Sequence, residues 1–410
     1  MLIPELLCPA GNMERLITCV TYGADAVYVG GTHLSLRAKT SGFSWDDLRR
    51  ARELTRKSGR RLYFCLNVYP LERDIEMVKD YLCQVKEIGV DALIISDPGI
   101  IYLARDLAPH IPIHLSTQAN TTNSEAVRFW RDAGIKRINL ARELTLRDIA
   151  EIRKRTSPLD MELEVFVHGA MCMAISGRCY LSAYLTARSA NRGECTHVCR
   201  FSYRIIGLAL EEEKRQGEVT WEYLEEGKFS TFFAPEDLCL IKYLPWFVKK
   251  HIHALKIEGR MKTSSYLAPV VDTYATALRD VSQGRFRLEN YLKEIALGST
   301  RKCSTGFFLG KKRVAAITPA RDSAPVVMRV REKMGGHRWE VEIKSRCKDI
   351  YTLEIMVPGL KRIRVDGGDY MFEDRQGNRL REVHSGMVCY LLCENPHIQK
   401  DLLIRKRGEG

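Results

Sequence analysis

Apolar runs of four to six residues recur along the first three quarters of the chain, each after a polar turn. "YGADAVYVG" begins at Tyr22, "IGVDALIIS" at Ile88, "AGIKRINLA" at Ala133 and, more loosely, "HIHALKIEG" at His251. In each, a strand-type run follows a glycine or histidine that closes a helical pattern, as when a helix hands over to the next strand. The intervening stretches have helical periodicity: Ile75, Val78, Leu82 and Val85 fall at i, i+3, i+7 and i+10, one face of a helix ending at Gly89. Strands are predicted near residues 4–8, 25–30, 61–67, 91–96, 111–116, 136–141, 161–167 and 252–258. Eight strands alternating with helices predict an α/β fold, a TIM-like (β/α)8 barrel. An open doubly wound sheet is the alternative, and no Gly-rich dinucleotide fingerprint accompanies it.

The spacing breaks once. About 85 residues separate the seventh strand from the eighth, where other steps take about 20 to 35, so an insertion follows strand seven. The predicted organisation is a barrel over 1–300 with a cysteine-rich insertion at about 168–240, a linker at 301–323 and a C-terminal β-domain over 324–410. That last segment has short alternating runs such as "PVVMRVREK" and "RWEVEIKS", the pattern of a small antiparallel β-barrel.

The loops at the carboxyl ends of barrel strands hold the chemistry, so polar residues there are the candidates. Arg37, Asn67, Asp97, Gln118, Asn120, Arg142, Arg178, Lys256 and Arg260 are candidate substrate-binding residues. His168, Glu143 and Glu258 are candidate acid/base groups. The competing structural roles are specific. Asp97 before Pro98 and Asn120 before two threonines suit helix caps, the two glutamates suit counter-ions, and a single histidine at a strand end suits a hydrogen-bonded core position. Four arginines at one mouth predict a ligand bearing carboxylate or phosphate.

The chain has 13 cysteines among 410 residues and a formal charge of +13. An odd cysteine count without disulfide-like symmetry points to buried thiols or metal ligands in a reducing compartment. Cys172 and Cys179 flank six residues and Cys195 and Cys199 flank three, with Cys239 farther on. No C-x-x-C knuckle of the structural zinc type occurs among them, and from spacing an iron-sulfur cluster, zinc or unliganded thiols all stay open. The positive charge favours an acidic partner, nucleic acid above all. No apolar run approaches the roughly 18 residues of a membrane span, and the start "MLIPELLCPAG" lacks a basic leader, so no membrane association and a cytoplasmic location are expected.

"ELEVFVHGAMCMAISGRCYLS" resembles the signature of peptidase family U32, and "ELLCPAG", "GADAVYVGG", "HLSTQAN", "NRGECTHVC", "DLCLI", "KIEGRMK" and "STGFFLG" extend the resemblance along the barrel. Within the family the tRNA-hydroxylating branch is most similar. That resemblance implies an oxygen-independent hydroxylation of the wobble uridine of tRNA to 5-hydroxyuridine, with prephenate as co-substrate. It also implies a 4Fe-4S cluster held by Cys172, Cys179, Cys195 and Cys239, leaving Cys199 spare. Prephenate is a dicarboxylate, which suits the arginines at the mouth. Phe201 departs from the tryptophan often found at its position. Other branches imply alternatives: a peptidase, a hydroxylase of a ubiquinone precursor or of ribosomal-RNA cytidine. Against a peptidase stand the absent H-E-x-x-H and G-x-S-x-G motifs.

Overall fold

The computed structural model describes residues 2–35, 42–172, 174–203, 208–211, 219–223, 236–299, 301–310, 315–317 and 324–407. Eight parallel strands close a barrel: β1 (Glu5–Pro9), β2 (Ala26–Gly30), β3 (Arg61–Leu66), β4 (Ala92–Ile95), β5 (Ile113–Leu115), β6 (Arg137–Asn139), β7 (Glu162–Ala170) and, after the insertion, β11 (Ala254–Ile257). β11 pairs with both β1 and β7, which closes the ring. Helices α1 (Met13–Thr21), α2 (Trp45–Lys57), α3 (Ile75–Ile88), α4 (Pro98–Leu107), α5 (Ser124–Asp132) and α6 (Leu146–Arg155) alternate with the first seven strands. All eight predicted strands are present, and α3 ends as its pattern implies, with Gly89 left-handed at φ 73°.

Local chemistry explains where the helices start. Asn12, Asp97, Asn123 and Thr145 are N-caps whose side chains accept backbone N–H groups of the first turn, and Thr145 forms a reciprocal box with Asp148. Asp97 accepts from Ile100 N at 3.1 Å and does not line the mouth cavity described below, so its role is the cap, a correction to its place among the ligand-binding candidates.

The bore of the barrel holds charge. Glu5 accepts from Tyr63 and pairs with Arg61 (2.7 Å) and Arg137 (2.6 Å), Arg137 reaches Glu162, and Lys256 Nζ lies 2.9 Å from Glu164. Burial by itself would lower the Arg137 guanidinium, but Glu5 and Glu164 outweigh it and keep it charged. Burial, reinforced by Arg137 and Lys256, pushes His114 well below the usual imidazole range, so its ring is neutral.

The insertion contains α7 (Leu181–Thr186), strands β8 (Leu208–Glu211) and β9 (Val219–Tyr223), and β10 (Asp237–Cys239), which runs antiparallel to the end of β7. α8 (Leu244–Lys249) then leads to β11, and α9 (Ser264–Ser282) and α10 (Leu288–Gly298) follow. Part of the expected linker is structured: Cys303–Ser304 pairs with β10, and Ala315–Ile317 pairs with Cys303–Ser304.

The C-terminal domain is an eight-stranded antiparallel sheet with Lys361–Val365 and Arg379–Leu380 at its edges. Among the described residues those edges do not pair with each other, so the sheet is curled and open where the alternation predicted a barrel. It docks on α9 and α10 through buried polar groups. Asp272 on α9 accepts from Gly359 N (2.7 Å) and pairs with Arg362 (2.9 Å), while Glu294 on α10 takes Arg362 and Arg405, both at 2.8 Å. Tyr22 OH donates to Met356 O and accepts from Leu403 N, tying α1 to the same sheet.

Burial pushes the Glu294 carboxyl up, but Arg362 and Arg405 more than offset this and hold it below the usual range. A carboxylate depressed in the folded state stabilises above its unfolded value and loses that contribution as pH falls through the folded one. Glu294→Ala, which leaves two buried guanidinium groups underpaired, should cost about 3–5 kcal/mol in denaturant titration. The difference between variant and wild type should shrink below about pH 4.

Candidate functional site

A cavity of about 180 Å3 opens at the carboxyl ends of the barrel strands. Lys256 forms part of its floor, Nζ lying 4.5 Å from the Tyr28 ring centroid and 5.5 Å from that of Phe166. The Arg142 guanidinium lies over the Phe166 ring at 4.0 Å, a cation–π contact that fixes its plane. Asn67 Oδ1, Asn139 Oδ1 and Arg142 Nε are buried there with no hydrogen-bond partner among the described residues. Native interiors rarely leave such atoms unpaired, and a polar ligand would satisfy them.

Glu258 and Arg260 also line the cavity. Tyr28 OH reaches Glu258 Oε2 at 3.2 Å and donates to Ile257 O, while Arg260 Nη2 donates to Ser35 Oγ at 3.1 Å. Arg260 lies against Gly30, where a Cβ would stand 2.7 Å from Nη2, so the glycine ending β2 makes room for the guanidinium. Gly169, at φ 104°, is constrained likewise: a Cβ there would stand 2.1 Å from Glu258 O, because β7 and β11 approach closely where their register shifts.

The insertion contributes four thiols to this cavity, Cys172, Cys179, Cys195 and Cys199, together with Arg200. Asn191 accepts from Cys179 N, and neighbouring Arg192 makes a two-pronged contact with Asp74 at 2.7 and 3.2 Å. The turn between Cys172 and Cys179 is held by Glu143, which accepts from Ser176 N and Oγ, and by Asn120, which accepts from Ser176 Oγ at 2.8 Å. Burial pushes the Cys199 thiol up; Arg200 opposes this, and the three neighbouring thiols add to it. The donor chemistry fits a thiolate-bound metal group. Among the described residues no three His, Cys, Asp or Glu side chains stand as a site for a single ion.

The model of peptidase family U32 matches residues 11–318. "tRNA hydroxylation protein P1" of Bacillus subtilis is 37% identical over 75% of this chain and 71% of its own length. The chain belongs to peptidase family U32. "tRNA hydroxylation protein P" of Escherichia coli is 37% identical over 70% of each chain, and a "Collagenase" of Porphyromonas gingivalis is 30% identical over 75% of this chain and 74% of its own.

In this U32 member the predicted site residues divide. Asn67, Gln118, Arg142, Lys256, Glu258, Arg260, Cys172, Cys179 and Cys195 line the cavity. Arg37 lies outside the described residues. Arg178 is exposed and turned away from the lining, Asn120 is left-handed at φ 56° and serves Ser176, and Glu143 is a clamp rather than an acid/base group. His168 is a core residue: it packs between Tyr266 and Tyr274, its Nδ1 lies 3.4 Å from Tyr274 OH, and burial pushes it down to about 3. The ring lies outside the cavity lining, so it does not face what the cavity holds. Cys239 also stands apart from the lining. It is buried opposite His168 on β10, its Sγ 3.8 Å from Tyr274 OH, with the thiol pushed up to about 11 by burial. The fourth thiol that the insertion gives the cavity is Cys199, and Cys65 of β3 lines it as well.

Sequence reasoning missed Tyr28, Asn139 and Arg200. The first two occupy inward positions that the period of two would have selected, and Arg200 adjoins Cys199. Glu143→Ala frees the Ser176 amide and with it the cysteine turn. Iodoacetamide should then label Cys179 in the metal-free protein at least several-fold faster, with the thermal midpoint little changed, since the lost contacts are local.

Proposed function

We propose that this U32 member is a tRNA hydroxylase that converts the wobble uridine to 5-hydroxyuridine without molecular oxygen. The observation that carries the reading is one cavity lined by the insertion's four thiols, by Cys65 and by the cations Arg142, Lys256 and Arg260. The names of the two tRNA-hydroxylating relatives support it. The basic charge of the chain fits a polyanionic substrate whose phosphates steer its approach.

The hydroxyl donor in this reading is prephenate. Arg142, fixed on Phe166, and Arg260, fixed on Ser35, offer guanidinium forks for its carboxylates, with Lys256 beneath. Glu258, the carboxylate at the mouth, is the group placed to accept a proton from what the cavity binds, and Tyr28 holds it in place. The unpaired uridine enters from above, because a base within a stacked helix cannot reach so narrow a cavity. A 4Fe-4S cluster on Cys172, Cys179 and Cys195 supplies redox or Lewis-acid chemistry when bound. Motif resemblance implies Cys239 as its fourth ligand, and the lining of the cavity by Cys199 beside the other three makes Cys199 the competing candidate.

A peptidase reading draws on the collagenase relative. It is disfavoured by His168 lying in the core and Glu143 being engaged by Ser176, which removes two of the three acid/base candidates of the sequence from the cavity.

The deciding measurement is nucleoside mass spectrometry of tRNA from cells lacking 5-hydroxyuridine, complemented with this chain. Restoration supports the reading, and its absence with intact expression rejects it. Cys172→Ala with Cys179→Ala should abolish both iron content after anaerobic purification and the modified nucleoside. Comparing iron in Cys199→Ser and Cys239→Ser identifies the fourth ligand as the one whose loss depletes the metal. Arg142→Ala should lower modification about 10- to 100-fold, the scale of a lost charge-assisted pair, with tRNA affinity unchanged in a filter-binding titration.

A further inference from the structure

Helix α7 in the insertion is amphipathic in the wrong sense. Its buried face is polar: Ser182, 1% exposed, donates to Arg188 O at 2.7 Å and accepts from Thr196 N, and Thr186 Oγ1 lies 3.2 Å from Thr196 Oγ1. Its outer face is apolar, with Tyr184 86% and Leu185 52% exposed, and the preceding Tyr180 is 82% exposed. Tyr184 N donates to Tyr180 O at 2.8 Å, so the two rings stand one helical turn apart on one side. Solvent gains nothing from two fully presented aromatic rings, and a short helix that hides its hydroxyls while showing its rings is shaped for a partner.

The charges around it indicate which partner. Arg178 and Arg188 flank the helix, both exposed and neither ion-paired among the described residues. Elsewhere exposed arginines are commonly neutralised within their own helix, as Arg50 is by Asp47, Arg128 by Glu125 and Arg155 by Glu151. Two unneutralised cations beside two aromatic faces suit a strand that alternates phosphate with flat base. A protein surface needs no such alternation. The position agrees, because Cys179, between Arg178 and Tyr180, lines the cavity.

We infer that Tyr180 and Tyr184 form a stacking platform for unpaired bases next to the nucleotide that enters the cavity, with Arg178 and Arg188 holding the adjoining phosphates. The inference rests on the RNA-hydroxylase reading and adds to it the surface that selects a loop over a duplex. Stacking on aromatic rings tolerates any base, so the platform recognises single-strandedness and leaves base identity to the cavity.

The test uses the full chain with its cofactor and two labelled RNAs, an anticodon stem-loop and a blunt duplex of equal phosphate number. Tyr180→Ala with Tyr184→Ala should weaken stem-loop binding roughly 10- to 100-fold and leave duplex binding unchanged, and the corresponding Phe pair should bind as wild type. Both rings are exposed, so iron content and thermal midpoint should not move. Arg178→Ala with Arg188→Ala should weaken both RNAs and flatten the salt dependence by about two phosphate contacts. Unchanged stem-loop affinity in the Tyr double variant overturns the platform, as does an equal loss on the duplex. A wild-type dimer that becomes monomeric in that variant also overturns it, assigning the face to self-association. If wild type neither prefers the stem-loop nor makes 5-hydroxyuridine, the functional reading falls and the platform with it. If wild type does both and only the variant result fails, the platform alone is wrong.

Discussion

A closed barrel must fill its own bore, and this one fills part of it with ions. The column from Arg61 and Glu5 through Arg137 to Glu164 and Lys256 links β1, β3, β6, β7 and β11 by side chains as well as by backbone. Isolated charges in that interior would be prohibitively unfavourable, so each is viable only because the others are present. The column ends at Lys256, whose ammonium is delivered to the cavity floor against Tyr28 and Phe166. The cationic character of the site is therefore continuous with the force that holds the strands in register.

The same economy governs the insertion. Long loops order only when something compensates their lost entropy. Here barrel residues supply anchors: Glu143 and Asn120 from the loops after β6 and β5 grip Ser176, and Asp74 grips Arg192. These contacts bring Cys172, Cys179, Cys195 and Cys199 to one wall of the cavity. Several polar residues at strand ends thus shape the site by positioning the thiols and do not touch what the cavity holds. The C-terminal sheet, fixed through Asp272 and Glu294, bears on α9 and α10 behind the barrel wall.

If the mouth takes an unpaired nucleotide, specificity divides physically between two places. The cavity would read one base by fixed polar groups, while the outer surface of the insertion would select a flexible strand. A fold common among unrelated enzymes would then owe its substrate class to a single excursion after its seventh strand.

How far the sequence reached follows from the range of each signal. Strand and helix placement was legible because alternation and caps are local: the run 25–30 became β2, Gly89 ended α3 and Asp97 capped α4. The cysteine cluster was legible as a cluster, since four thiols within thirty-one residues are a fact of composition. Family membership was legible in motifs spread along the barrel. What only tertiary structure decided was direction. His168 and Lys256 each lie near the carboxyl end of a strand, yet the bulge between β7 and β11 accompanies His168 packing against α9 and Lys256 staying in the bore. Likewise Glu143 and Glu258 are alike in sequence, and only the path of the insertion makes one a clamp and the other a cavity wall. A side chain's partners come from distant segments brought together by closure, and no local pattern encodes them.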